Sequence, residues 1–147
     1  MKKFFALFVV VVSVFSALVS CKLNYISINS NAADFTLTNK TTGKSVENKG
    51  VVISNGSSVD MLDIKAGDEL ELVFTPETQY QKYDWNVDFE LYNNEVITVT
   101  SSPYKHTFTV GDAHPGSYYV NCKASISDRK VKFEGVVTGW VMVRIGE

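Results

Sequence analysis

The sequence predicts an all-β sandwich, and three observations carry that expectation. Apolar and polar residues alternate with a period of two over several segments, as they do when successive strand side chains point to opposite faces. Clusters of Gly, Pro, Asn, Asp and Ser punctuate these segments at short, regular intervals. Beyond residue 20 no stretch repeats its apolar residues at helical spacing. The chain has 147 residues, 45% of them hydrophobic and 12% aromatic, enough for one domain with a core of its own.

Taken in order, the segment before Ala33 reads as a tether or a first strand. Tyr25, Ile26 and Ile28 favour a strand, and Asn29-Ser30-Asn31 is a turn signal. Residues 34–38 read as a short strand and residues 39–43 as a turn. Residues 51–53 and 59–64 are two further strand candidates around Asn55-Gly56, a hairpin signal. Residues 69–75 set Leu70, Leu72 and Phe74 against Glu69 and Glu71. The strongest pattern follows, with Tyr83, Trp85, Val87, Phe89 and Leu91 on one face and Asp84, Asn86, Asp88 and Glu90 on the other. A helix would scatter these aromatics around its circumference. Residues 96–100 and 104–110 are strands around Ser101-Ser102-Pro103, and residues 111–116 form a loop. Residues 117–126 place Tyr118, Val120, Cys122, Ala124 and Ile126 on one face. Trp85 and Tyr118 are therefore expected to be buried, on facing sheets. After a turn at Ser127-Asp128-Arg129, residues 131–145 read as one long final strand, with Gly135 and Gly139 marking bulges or bends.

The N-terminus has a different character. Met1-Lys2-Lys3 is a positive n-region, residues 4–15 are apolar except for Ser13, and small residues follow up to Cys21. These are the parts of a secretory signal, and the apolar run is short for a membrane span. Leu18-Val19-Ser20-Cys21 resembles the bacterial lipobox. That resemblance implies cleavage before Cys21, a diacylglyceryl thioether on its sulfur and acylation, such as palmitate, of the new amine. The expected organisation is a lipoprotein signal peptide over 1–20, a lipidated Cys with tether or first strand over 21–33, and a sandwich domain over 34–147. Lys22 stands where some lipoproteins carry the Asp that retains them in the inner membrane, so the outer membrane is the expected location. The leaflet is left open.

A second resemblance covers residues 64–145. Pro115-Gly116-Ser117-Tyr118-Tyr119-Val120-Asn121-Cys122-Lys123-Ala124 resembles the PGxYxVxLxV strand of PKD-type immunoglobulin-like domains. Tyr83-Asp84-Trp85-Asn86-Val87-Asp88-Phe89 stands where that family has its Trp-bearing strand, and Ala66-Gly67-Asp68-Glu69-Leu70 is similar to its turn into an earlier strand. The family's DFGDG turn is absent, and Cys122 takes a position that is usually aliphatic. The resemblance implies an immunoglobulin-like (PKD-like) antiparallel β-sandwich, either a PKD domain or another immunoglobulin-like family.

Candidate chemistry is sparse. Without Lys2 and Lys3, 12 basic residues face 16 acidic ones, a formal charge of −4, which argues against nucleic acid as a partner. Once Cys21 is lipidated, Cys122 is the remaining thiol. It has no disulfide partner, and strand phase points it inward. His106 shares the phase of Tyr104 and Phe108, and His114 lies in a Pro/Gly loop. No GxSxG nucleophile motif is present. Asp84, Asp88 and Glu90 share a strand face at a spacing compatible with paired carboxylates, but a solvated sheet face is the simpler reading. No DxDxDG-type calcium loop occurs, and neither metal nor cofactor is expected.

The aromatics are more suggestive. Tyr80, Tyr92, Tyr119 and Trp140 cannot all face inward. On the last strand Val137, Val141, Val143 and Ile145 form one row, which sends Trp140, Met142 and Arg144 to the other. Trp140, with Tyr119 and Arg144, is the expected ligand-binding surface. The functional expectation is a membrane-anchored envelope lipoprotein, not an enzyme, whose module binds a carbohydrate or a protein. A structural or assembly subunit of an envelope complex is the alternative. A hydrolase using the strand carboxylates is a third and weaker reading.

Overall fold

The computed structural model describes residues 24–28, 33–48 and 60–146. The signal segment, Cys21, the strand expected at 51–53 and the Asn55-Gly56 turn lie outside these residues. The strands are β1 (Asn24–Ser27), β2 (Ala33–Asn39), β3 (Lys44–Asn48), β4 (Met61–Ile64), β5 (Glu69–Pro76), β6 (Trp85–Glu90), β7 (Val96–Val99), β8 (Lys105–Thr109), β9 (Gly116–Ile126), β10 (Val131–Glu134) and β11 (Val137–Ile145). One short 3₁₀ turn, Thr78–Tyr80, links β5 to β6.

Nine strands make two sheets, ordered β4-β11-β9-β6-β7 and β3-β2-β5-β8. Within them every pairing is antiparallel except β4 with β11, where an early strand lies parallel to the last. The chain changes sheet between β3 and β4, β4 and β5, β5 and β6, β7 and β8, and β8 and β9. This places β5 beside β8 in one sheet and β6, β9 and β11 side by side in the other, the arrangement of an immunoglobulin-like sandwich.

Alternation along the strands builds the core. Trp85, Val87, Phe89 and Leu91 from β6 and its end are buried, as are Leu70, Leu72 and Phe74 from β5 and Val120, Cys122, Ala124 and Ile126 from β9. Aromatic pairs join the sheets. Phe74 meets Trp85 edge to face at 5.2 Å between centroids, and Phe35 stacks with Phe89 at 5.9 Å. The polar atoms of Trp85 are paired: its backbone N–H donates to the Tyr104 hydroxyl at 3.0 Å and its indole N–H to the Tyr80 carbonyl at 3.2 Å.

Four expectations are corrected. Trp85 and Tyr118 do not lie on facing sheets, because β6 and β9 are neighbours in the same sheet. Tyr118 is also only half-buried. Its hydroxyl reaches back to donate to the His114 carbonyl at 2.7 Å, the tyrosine-corner contact of immunoglobulin-like domains. The long final strand is broken at Gly135, whose φ of +103° suits glycine, so β10 and β11 are separate. Gly139 marks no bulge. It pairs with Cys122 in unbroken register, and a Cβ there would sit 3.3 Å from the Phe35 Cβ. The glycine permits close approach of the two sheets.

The segment left open as tether or strand does form a strand. β1 pairs in parallel with β10 as a separate two-stranded ribbon. Ile26, Val131 and Phe133 of this ribbon pack against the core, while Tyr25 and Lys132 face away. β3 was not legible as a strand; it pairs with β2 along its whole length.

Candidate functional site

Strand phase puts a polar row on the outer face of the five-stranded sheet. On β9 this row is Tyr119, Asn121 and Lys123, and on β11 it is Thr138, Trp140, Met142 and Arg144. Antiparallel pairing sets Trp140 opposite Asn121 and Tyr119 opposite Met142, so Tyr119 and Trp140 are diagonal neighbours. Their rings meet edge to face at 5.4 Å with an interplanar angle of 83°. Tyr119 is 57% exposed, and Trp140 is half-buried beside it. The Trp140 backbone is fixed from the other sheet, since the Asn48 side-chain amide donates to its carbonyl at 2.8 Å.

Arg144, the third expected member, is drawn elsewhere. Its Nε donates to Asp63 Oδ1 of β4 at 2.6 Å, and it stands opposite Ser117, two pairs beyond Tyr119–Met142 along the sheet. This contact holds the Asp63 carboxyl below the usual carboxylate range and raises the guanidinium further. The structure thus brings Tyr119 and Trp140 together and commits Arg144 to an ion pair across the β4–β11 seam. Cys21 lies outside the described residues.

Polar side chains continue the outer face past the aromatic pair. Asn121 donates to Glu90 Oε2 at 2.9 Å, and the Thr98 hydroxyl donates to Asp88 Oδ1 at 2.7 Å. Asp88 and Glu90 are therefore tied to neighbouring strands. Beneath this face Cys122 is buried, and desolvation pushes its thiol up to about 12. A nucleophilic cysteine needs the opposite shift.

A concavity of about 500 Å³ opens at one end of the sandwich, where Tyr92, Phe108 and Tyr118 meet His106 and His114. Its aromatics pack on one another: Tyr92 lies 6.4 Å from Phe108 and 6.2 Å from Tyr118, and His106 stacks on Phe108 at 6.2 Å. Sequence reasoning placed the two histidines on separate elements and did not join them. Their meeting depends on the β8–β9 crossover, which no local pattern encodes.

Also unforeseen is the buried pair of Asn39 and Asp68. Asn39 donates to Asp68 Oδ2 at 2.7 Å and accepts the N–H groups of Thr41 and Thr42, while Asp68 accepts the N–H of Lys65. The pair ties the β2–β3 turn to the β4–β5 turn and is structural. Among the described residues no group of three or more His, Cys, Asp or Glu is placed to hold a metal ion.

No protein-family model matches this chain, and neither a curated protein nor a solved structure matches it.

Proposed function

We propose that this protein is a lipid-anchored envelope protein whose immunoglobulin-like domain, akin to PKD domains, binds a ligand without transforming it, through the outer face of the β9 and β11 strands. The observation that carries the reading is the Tyr119–Trp140 pair. An aromatic pair is held rigidly on a sheet, with one ring mostly exposed and amides and carboxylates beside it. Aromatic side chains on rigid elements present contact area at little entropic cost. Side-chain amides and carboxylates next to such rings suit the hydroxyl groups of a sugar, so a glycan is the favoured ligand class. A protein partner would use the same face.

Support for the non-catalytic part comes from three sources: the tied carboxylates of Asp88 and Glu90, the raised thiol of Cys122, and an open sheet face in place of an enclosed cleft. Support for the anchor is the lipobox-like run ending at Cys21. A glycan array probed with the purified protein supplies the test. A hit should bind Tyr119→Ala and Trp140→Ala variants at least about 30-fold more weakly, the equivalent of about 2 kcal/mol, with the unfolding midpoint of Tyr119→Ala unchanged. Undiminished binding in both variants would remove this face from the account. The anchor is tested separately by mass spectrometry of the mature N-terminus. Acyl mass on Cys21 is the expected result, and a mature chain that starts elsewhere would contradict it.

A further inference from the structure

We propose that the end of the domain bearing the β1–β10 ribbon and the 127–130 turn faces the bilayer and docks on anionic phospholipid headgroups. The inference rests on the reading of Cys21 as the acylated residue and adds to it an orientation and a lipid preference.

The first argument is reach. β1 begins at Asn24, three residues beyond Cys21, and an extended chain covers at most about 3.6 Å per residue. A lipid on Cys21 therefore lies within about 11 Å of Asn24. Asn24 is not on a free tether: it pairs with Val131, and the following residues pair in register to Ser27 and Glu134. The ribbon in turn packs on the core through Ile26, Val131 and Phe133. An anchor at Cys21 consequently holds this end of the sandwich, and not the opposite end at the 39–43 turn, next to the membrane surface.

The second argument is what that end displays. Tyr25 is 61% exposed, and the Lys132 ammonium lies over its ring at 5.3 Å. Arg129 and Lys130 are exposed on the adjoining turn. The Asp84 carbonyl accepts the Ser127 N–H, which brings Lys82, stacked over Tyr83 at 5.2 Å, to the same end. Within the ribbon and its turn Arg129, Lys130 and Lys132 outnumber Asp128 and Glu134; Lys82 adjoins them beside Asp84, and Asp34 and Glu77 lie at the same end, so the cationic surplus belongs to the 129–132 edge. Exposed tyrosine paired with lysine suits the headgroup layer, where amphipathic rings and basic side chains accumulate. Each cation near an anionic surface contributes about a fivefold gain in partitioning.

The test uses the full chain, expressed, processed and reconstituted in vesicles of phosphatidylcholine with or without phosphatidylglycerol. An environment-sensitive dye is placed at Ser127→Cys or, at the opposite pole, at Thr42→Cys. Native Cys122 is buried, with its thiol pushed up to about 12, and does not compete for the dye. The dye at 127 should shift to the blue in vesicles with phosphatidylglycerol and the dye at 42 should not. Reversing Lys130 and Lys132 to Glu should abolish the dependence on phosphatidylglycerol. A dye at 127 that stays aqueous, or a shift at 42, on protein carrying acyl mass at Cys21 would overturn the orientation. A dependence on phosphatidylglycerol that survives the charge reversal would overturn the lipid preference. Protein without acyl mass on Cys21 would overturn the anchor reading itself.

Discussion

Trp85 is the residue on which the sandwich turns. Its ring packs edge to face on Phe74 from the opposite sheet, and both of its N–H groups are satisfied. Truncation leaves a cavity between the sheets and removes the indole donor from the Tyr80 carbonyl, while the backbone bond to Tyr104 remains. Trp85→Ala should cost about 3–5 kcal/mol in a denaturant titration; a loss under about 1 kcal/mol would place the ring outside the core. Cys122 lends itself to a pH experiment. Its thiol is raised from 9.0 to about 12 by desolvation, so below pH 9 it is protonated in both folded and unfolded chains and its contribution is fully present. Above pH 9 the unfolded thiol ionises first, and stability falls until the folded thiol also ionises near 12. Relative to Cys122→Val, the wild-type chain should lose on the order of 1 kcal/mol between about pH 8 and pH 10. A pH-independent difference between the two would show that the thiol is not desolvated.

At the scale of elements, what was legible follows from physics that acts locally. β5, β6 and β9 each bury one face and solvate the other, so their sequences alternate, and their inner rows match the expected ones except at Tyr83 and Tyr118, which are half-buried. β3 offers one apolar residue, Val46, among polar ones; it lies at a sheet edge, where little apolar surface is demanded. The division between β10 and β11 was hidden for a related reason. Alternation runs on through Val131, Phe133 and the valines that follow, and the break lies in the backbone of Gly135 alone. Phase alone told that Tyr119 and Trp140 share an outer face. It could not tell that Arg144 would be claimed by Asp63, because β4 reaches β11 from far away in the sequence. Gly139 shows how a residue read as a bend can serve packing. A side chain there meets Phe35 at 3.3 Å, so Gly139→Val should destabilise the domain by about 1–3 kcal/mol through overpacking. A thermal midpoint equal to wild type would mean that the sheets part freely at this point.

In the whole molecule a sandwich core carries an outer aromatic pair on one sheet and a ribbon at one end, to which the proposed anchor at Cys21 would connect. The ribbon fixes the end that carries β1, and the recognition face lies on the side of the five-stranded sheet, so on this reading a ligand approaches laterally and the membrane from one end. Two surfaces compete for the role of binding site: the Tyr119–Trp140 face and the concavity bounded by Tyr92, His106 and His114. The first keeps a rigid ring mostly in solvent, whereas the aromatics of the second are engaged with one another. The most direct measurement is amide and indole chemical-shift mapping of the protein titrated with a glycan selected on the array. The expected shifts concentrate at Tyr119, Asn121 and the Trp140 indole on the outer face of β9 and β11. Shifts concentrated instead around Tyr92, His106 and His114 would contradict this and move the site to the end of the sandwich.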